Sequence, residues 1–404
     1  MHRVMFVLQT TAIGGMESHV VDLAAELTRR AVQVQAVIPS ADRFDPLVVR
    51  FSSAGAEVAR VDTDGRNGRP AQLRQLLSLR RRMTAWRPDV VHLHLGGATG
   101  GTAVVALARL AGAVAVVTEH DVPTGRPAGL TRASRLLLDR WAHVLIAISR
   151  RNAALRIAGI RPRLDRFAVV LNGVPIPHVD DDVRSRNRRE VRAEQHIGSS
   201  RTVVGSVVRL ANGKGLPDLI RAFASVHSSS PNCDLLLVGD GPLRSELEAL
   251  ADSFGIADVV HFAGNQREPG RFLDAFDVFA LAVPEGSGSI AVLEAMARGV
   301  PSLITFGGPE EAIRPNDSGV WGPPNDPEGL AAALAPLVEN AELRARFGRA
   351  AAAHVQRHYS VSRVADDLLE LYSFARRGVA VGLRADAPAD ARPGDRARPA
   401  SAGT

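Results

Sequence analysis

Short apolar runs alternate with stretches of helical periodicity along most of this chain, and that alternation leaves few folds open to it. Val4 to Leu8, Val32 to Ile38, Glu57 to Val61, Val90 to His94, Val114 to Thr118, Val144 to Ile148 and Phe167 to Leu171 read as strands. Amphipathic spacing marks helices between them, for instance Glu17 to Arg30, Gln72 to Trp86 and Arg132 to Trp141. Strands without a polar face must be covered on both sides, which calls for a parallel sheet with helices above and below. A second series follows at 202–208, 234–238, 259–262, 278–282 and 302–304, and residues 341–376 are wholly helical in pattern. The expected architecture is α/β, with two doubly wound, Rossmann-like domains and a cleft between them.

The boundaries follow composition. Residues 1–175 form the first domain, and Asn172-Gly173-Val174-Pro175 breaks its pattern with a turn. Residues 176–200 are charged, without apolar periodicity, and read as the linker region. Residues 201–360 form the second domain, 361–379 a last helix, and 380–404 a tail of Ala, Arg, Asp, Pro and Gly that reads as disordered.

At about 150 residues per domain, 404 residues suit two or three domains, and 46% hydrophobic residues are enough for sizeable cores. The single cysteine, Cys233, excludes an intramolecular disulfide and a thiolate metal cluster, and fits a reducing compartment. It reads as a small buried filler. No uninterrupted apolar run reaches membrane-spanning length, and the N-terminal residues carry no signal-peptide pattern. A cytoplasmic protein is expected. The net charge is +6, and Lys214 is the only lysine among 49 basic residues. With 4% aromatic residues and no recognised nucleic-acid motif, a nucleic-acid partner is not expected. An anionic membrane suits the basic surface better, although a solvated face explains arginine-rich helices such as Arg74 to Arg87 equally well.

In doubly wound sheets, ligands bind outside the carboxyl ends of the strands. Arg209-Leu210-Ala211-Asn212-Gly213-Lys214-Gly215 lies there, between a strand and a helix. An arginine and a lysine at a helix N-terminus suit a diphosphate, because free N–H groups and two full charges converge. Gly239-Asp240-Gly241-Pro242 makes a tight turn after the next strand, which suits close backbone approach or ordinary punctuation. Pro284-Glu285-Gly286-Ser287-Gly288-Ser289-Ile290 leads into a helix carrying Glu294. Carboxylates there can accept hydrogen bonds from sugar hydroxyls, while Ser289 reads equally as an N-cap. Phe306-Gly307-Gly308-Pro309-Glu310-Glu311 is a further glycine-rich loop. In the first half, Gly14-Gly15-Met16-Glu17, His92-Leu93-His94 and Thr118-Glu119-His120-Asp121 occupy equivalent places. His92 and His94 share a face but lack a clear third ligand, and Asp62-Thr63-Asp64 lies far from the diphosphate loops. No metal is expected.

Taken in order, Gly14-Gly15-Met16-Glu17, His94, His120, Asn172-Gly173-Val174, Arg209 to Lys214, Gly239 to Pro242, Leu293-Glu294-Ala295-Met296-Ala297 and Gly307 to Glu311 resemble the family 4 glycosyltransferases from residue 3 to about 375. The resemblance implies the GT-B fold and transfer from a nucleotide-sugar donor, UDP- or GDP-linked, with retention at the anomeric carbon. It implies no further cofactor. Arg209 and Lys214 would hold the donor diphosphate, Glu294 the ribose, and Glu285 or its neighbours Gly286, Gly288, Ser289 and Ile290 the donor sugar. Gly14 and Gly15 would lie near the donor phosphate and the acceptor, and His120 would contact the reacting sugar. Gly239, Gly241 and Glu311 would complete the donor side. The last helix would cross back to the first domain.

Two departures stand out. The family separates its two glutamates by seven residues, whereas eight separate Glu285 from Glu294, and Val208 stands where glycine is more common. Without a clearly placed pair of carboxylates, front-face attack is the expected mechanism, with the acceptor hydroxyl giving its proton to the departing phosphate oxygen. A lipid-linked saccharide or a small molecule would serve as acceptor. The alternatives are a nucleotide-sugar epimerase, a phosphorylase or a nucleotide-binding protein that has lost turnover. A phosphorylase would need a second lysine for pyridoxal.

Overall fold

The computed structural model describes residues 2–61, 69–96, 100–120, 129–159, 163–177, 180–266, 268–284, 289–305 and 310–380. In the first domain, strands β1 (Arg3–Gln9), β2 (Gln33–Ile38), β3 (Glu57–Arg60), β4 (Val90–Leu95), β5 (Val114–Glu119), β6 (Val144–Ala147) and β7 (Phe167–Val169) form one sheet. Their order is β3-β2-β1-β4-β5-β6-β7, with every pairing parallel. Helices α1 (Gly15–Arg29), α2 (Asp45–Ser53), α3 (Arg69–Trp86), α4 (Thr102–Leu110), α5 (Gly129–Trp141) and α6 (Arg150–Gly159) connect the strands. Every residue of β4 and of β5 is buried, as the absence of a polar face requires.

The second domain begins with α7 (Asp181–Glu194). Its strands are β8 (Thr202–Val207), β9 (Cys233–Val238), β10 (Val260–Gly264), β11 (Val278–Leu281), β12 (Ser302–Thr305) and β13 (Gly319–Gly322), in the order β10-β9-β8-β11-β12-β13 and again all parallel. Helices α8 (Leu216–Ser229), α9 (Arg244–Ser253), α10 (Pro269–Leu273), α11 (Ile290–Ala297), α12 (Pro327–Glu339) and α13 (Ala341–His358) complete it. The sheet orders reverse between β1 and β4 and between β8 and β11, and crevices for ligands form at such switch points.

The last helix, α14 (Val361–Arg376), packs on the first domain. Val364, Ala365, Leu368, Leu371 and Tyr372 share a core with β1, β2 and α1. Each fully buried large apolar side chain contributes about 1.5–3 kcal/mol, so this docking is strong. The chain crosses between domains twice, side by side. Val174 N–H donates to Tyr359 O at 2.8 Å, and Val361 N–H donates to Val174 O at 2.9 Å.

Two elements depart from the sequence expectation. Strand β13, bounded by glycines, carries a turn-like signature. A Cβ at Gly319 would lie 2.3 Å from Ser302 O, so that glycine lets β13 close against β12. The stretch read as a charged linker contains α7, and its charges dock it. Arg184, Arg188 and Arg192 recur every fourth residue on one face. Asn187 donates to Asp274 at 2.8 Å, while Arg188 and Arg192 reach the two oxygens of Asp277 at 2.6 and 2.7 Å. Apolar periodicity is weak because this interface is ionic. Within the expected tail only Ala380 is described, and residues 381–404 lie outside the described ones.

Removing Arg192 leaves Asp277 short of its most buried partner. Breaking such a pair from one side costs about 3–5 kcal/mol. Arg192→Ala is expected to lower the unfolding midpoint of the second domain strongly in a thermal or urea melt. Arg192→Lys, which keeps the charge but loses the fork onto Ala275 O, is expected to fall between it and the native chain.

Candidate active site

The loop after β8 is shaped by its contacts with neighbouring loops. Gly215 has φ +65°, and a Cβ there would lie 1.8 Å from Ala282 O, so only glycine lets the N-terminus of α8 close on the end of β11. Leu210 N–H donates to Asp240 O at 3.1 Å, and Leu243 N–H to Leu210 O at 3.0 Å. A Cβ on Gly239 would meet Val208 O at 2.1 Å, and one on Gly241 would meet Leu210 O at 2.3 Å. The close approach of Gly239 and Gly241 is therefore to the β8 loop itself. This stitched pair of loops presents Arg209, exposed, and Lys214, half-buried. Neither side chain makes a hydrogen bond or ion pair with a described residue. Many other arginines of the second domain are spent on carboxylates, among them Arg188, Arg192, Arg201 and Arg244.

Gly14 and Gly15 open α1 opposite this edge. Glu17 accepts from Gly14 N–H at 2.7 Å and so caps its own helix. A Cβ on Gly15 would come within 3.3 Å of Ile290 Cγ1, the first residue of α11, so the two domains touch here. Ser289 stands at the N-cap of α11, but its hydroxyl makes no capping bond. Glu285, Gly286 and Gly288 lie outside the described residues, as do Asp62, Asp64 and Gly307 to Pro309.

Glu294 sits one turn further along α11. Burial pushes its carboxyl up to about 7; nearby Arg298 pulls it down, Asp22 of the first domain adds to the rise, and Arg50 opposes it. Asp22 is itself pushed up to about 6 by burial, against the pull of Arg50. Neither Asp22 nor Arg50 stands in a readable motif, and only the domain contact brings them to Glu294.

His120 follows β5 and is buried, its Nε2 3.1 Å from Nδ1 of His94. The residue before it, Glu119, anchors a buried ionic cluster. Arg156 donates to Glu119 at 2.7 Å and also bonds Asp139, while Arg135 bonds the other oxygen of Glu119. His92, which shares a face with His94, has both ring nitrogens engaged, Nδ1 with Tyr372 Oη at 2.6 Å and Nε2 with Thr118 Oγ1 at 2.7 Å. The spacing noted in the sequence thus serves a polar array within the core.

Glu311 lies at the domain seam. Its carboxylate accepts from Arg151 N–H, at the N-terminus of α6, at 3.1 Å, and its carbonyl accepts from Tyr359 Oη. A carboxylate at that helix end is favoured by the dipole.

The raised carboxyl of Glu294 carries a sign for stability. Below about pH 4.5 folded and unfolded chains are both protonated there, and no penalty arises; above about 7 the folded chain bears a buried charge. Ligand-free protein should lose stability as pH rises across that window, with Asp22 contributing in the same direction. Melting curves from pH 5 to 8 would show this, and Glu294→Gln is expected to flatten the trend.

Two family models match the chain, Glycosyltransferase Family 4 over residues 13–176 and Glycosyl transferases group 1 over residues 187–354. Over 397 residues, 90% of this chain and 91% of its relative, the sequence is 30% identical to 2-deoxystreptamine N-acetyl-D-glucosaminyltransferase of Streptomyces fradiae. It is 25% identical over 316 residues to the alpha-monoglucosyldiacylglycerol synthase of Acholeplasma laidlawii, covering 73% of this chain and 77% of that one. Among solved structures, a glycosyltransferase of Rickettsia africae superposes with a TM-score of 0.79 at 16% identity over 93% of this chain and 98% of its own. HepE of Anabaena, solved with UDP and glucose, gives 0.77 at 20% identity over 92% and 100%. These structural likenesses establish the fold. With the two sheets, the paired crossovers and the returning last helix already in place, the chain belongs to the family 4 glycosyltransferases and has their two-domain GT-B fold.

Proposed function

We propose that this enzyme moves a sugar from a nucleoside-diphosphate donor to an acceptor hydroxyl with retention of anomeric configuration, and that it needs no metal. The observation that carries this reading is the position of Arg209 and Lys214, without a partner among the described residues, at the carboxyl end of β8. Unlike the exposed and equally unpaired Arg186, Arg189 and Arg349 on helices, these two cations stand together in the loop at the end of a strand. As the anomeric C–O bond breaks, its electron pair goes to the diphosphate oxygen and positive charge builds on the sugar. Arg209 and Lys214 would stabilise that oxygen, a contact typically worth about 10²–10³ in rate. The acceptor hydroxyl attacks from the same face and gives its proton to the departing oxygen. Glu294 would accept the ribose hydroxyls, its ionised form favoured once they replace water. Ser289, with an uncommitted hydroxyl, Ile290 and Gly15 would border the donor sugar.

The acceptor belongs, in this proposal, to a glycan, a glycolipid or a natural-product glycoside, in keeping with the acceptors named for the relatives. The enzyme would work in the cytoplasm, at the inner face of an anionic membrane. Helices α3, α4 and α5 pack side by side on one face of the first domain. They expose Leu73, Leu77, Leu110, Leu136 and Leu137 beside Arg74, Arg80, Arg132 and Arg140. Apolar side chains that enter a headgroup layer, ringed by arginine, suit such a surface, each arginine contributing about 1 kcal/mol. No helix among the described residues is long and apolar enough to cross a membrane.

Calorimetric titration with UDP, GDP and ADP in EDTA tests the donor site. One nucleotide should bind, and Lys214→Ala should weaken it about 10–150-fold, the loss of one charge-assisted contact of about 1.5–3 kcal/mol. Binding that requires added manganese, or no binding of any of the three, would overturn the reading. Sedimentation with vesicles tests the surface. Phosphatidylglycerol vesicles should carry the protein down at low salt and phosphatidylcholine vesicles should not. Leu73→Asp combined with Leu77→Asp should abolish the effect without changing nucleotide affinity.

A further inference from the structure

The first turn of α6 is completed by a residue of the other domain. Ser149 serves as its N-cap: Ser149 Oγ accepts from Asn152 N–H at 2.9 Å, and Ser149 O accepts from Ala153 N–H at 3.0 Å. The N–H of Arg151 stands in the same turn, where no intrahelical acceptor exists. Glu311 Oε1 takes it at 3.1 Å. Glu311 in turn is fixed to the second domain. Its neighbours Ala312 and Ile313 are buried in the core of that domain, and its carbonyl accepts from Tyr359 Oη, beside the place where the chain crosses.

The same helix grips the end of β5. Asn152 is buried, and its Nδ2 donates to His120 O at 3.3 Å. Arg156 lies four residues on, hence on the same face of α6, and donates to Glu119 at 2.7 Å. One face of α6 therefore bonds two consecutive residues, Glu119 and His120. On its other side, His120 N–H donates to Leu95 O at 3.0 Å. The backbone of His120 is thus tied to β4 through its amide and to α6 through its carbonyl. Strand β4 lies within the sheet, whereas the first turn of α6 leans on the second domain.

We propose that Glu311 is a positioning residue: by holding the first turn of α6 it fixes the backbone of His120, so that the place of His120 depends on the second domain being seated. This rests on the reading of His120 as a sugar contact. Glu311 acts from a distance, through Arg151 N–H and Asn152, and not by touching the sugar. A carboxylate on a helix N–H makes a stronger bond than a neutral acceptor, and a misplacement of about 1 Å at a reacting centre costs about 10²-fold in rate. A loop of the second domain thereby bears on the geometry of a residue in the first.

Hydrogen exchange of the full chain, resolved to single amides, reads this linkage without turnover. The native Arg151 amide should be protected. Glu311→Ala should speed its exchange about 10-fold or more, the loss of one charge-assisted bond, and should speed exchange at His120 as well. Glu311→Gln keeps an acceptor oxygen and should restore both. Release of nucleotide from UDP-glucose or GDP-glucose should fall about 10–100-fold in Glu311→Ala, with nucleotide affinity unchanged. Three results would each overturn the proposal: an unprotected native Arg151 amide, exchange at His120 indifferent to Glu311→Ala, or nucleotide affinity falling in step with turnover. Should Glu311→Ala fail to fold, Asn152→Ala decides. It should speed exchange at His120 while Arg151 stays protected, and no change at His120 there overturns the proposal equally. If exchange responds as expected but His120→Gln turns over normally, the linkage stands and it is the sugar contact that fails.

Discussion

How the two sheets face one another depends on one seam where the chain passes twice between the domains. Val174 bonds the backbone on both sides of Ser360, and His19 holds the carbonyl of the adjoining Gly173. The same short stretch reaches the cleft, because Tyr359 bonds the carbonyl of Glu311, whose carboxylate caps α6. Buried backbone groups cannot go unpaired, so these bonds hold the crossing strands in register while α14 is anchored by its own apolar face. The position of Gly15 against Ile290 follows from that arrangement rather than from any local preference of either loop.

Charge is distributed on this frame with a bias that bears on chemistry. Arg156 is almost wholly buried and shared between Glu119 and Asp139; Arg192 bonds Asp277 and three backbone carbonyls. Such groups are costly to bury and hold their neighbours because leaving either partner alone costs more. They fix β5 and α6, which lead to the cleft, and α7, which docks at the amino ends of β8 and β11. Arg209 and Lys214 sit where water still reaches, so their charge stays in solvent. Glu294 is poised differently. Its burial raises the cost of its charge, and hydroxyl donors from a ligand would lower that cost, so binding and ionisation support each other.

Much of the fold was legible because parallel sheets buried on both faces write themselves as apolar runs, and β4 and β5 are fully buried along their length. Strand β13 was not, since its bounding glycines serve a close approach that only its neighbour reveals. Helix α7 was not, because an ionic interface leaves no apolar stripe. Of the candidate site, the placement of the Arg209–Lys214 loop was legible because it is local: two cations at a strand end, ahead of a helix. Gly239 and Gly241 were legible as glycines but not in what they approach. Asp22, Arg50 and the bond between His94 and His120 depend on contacts between distant segments, to which spacing along the chain gives no access.

The buried histidines and the Arg209–Lys214 loop bear on the same chemical question from opposite sides. Abstracting the acceptor proton would call for a base with a bare nitrogen or an ionised carboxylate near the reacting carbon. Burial makes the imidazoles around His120 weak bases, and Glu119 is engaged by Arg135 and Arg156. Arg209 and Lys214 lie where, on the proposed reading, a leaving group would gather negative charge. On the proposed reading, such a site would lower the barrier by favouring departure of the diphosphate, whose oxygen would become basic as the bond breaks and take the acceptor's proton itself.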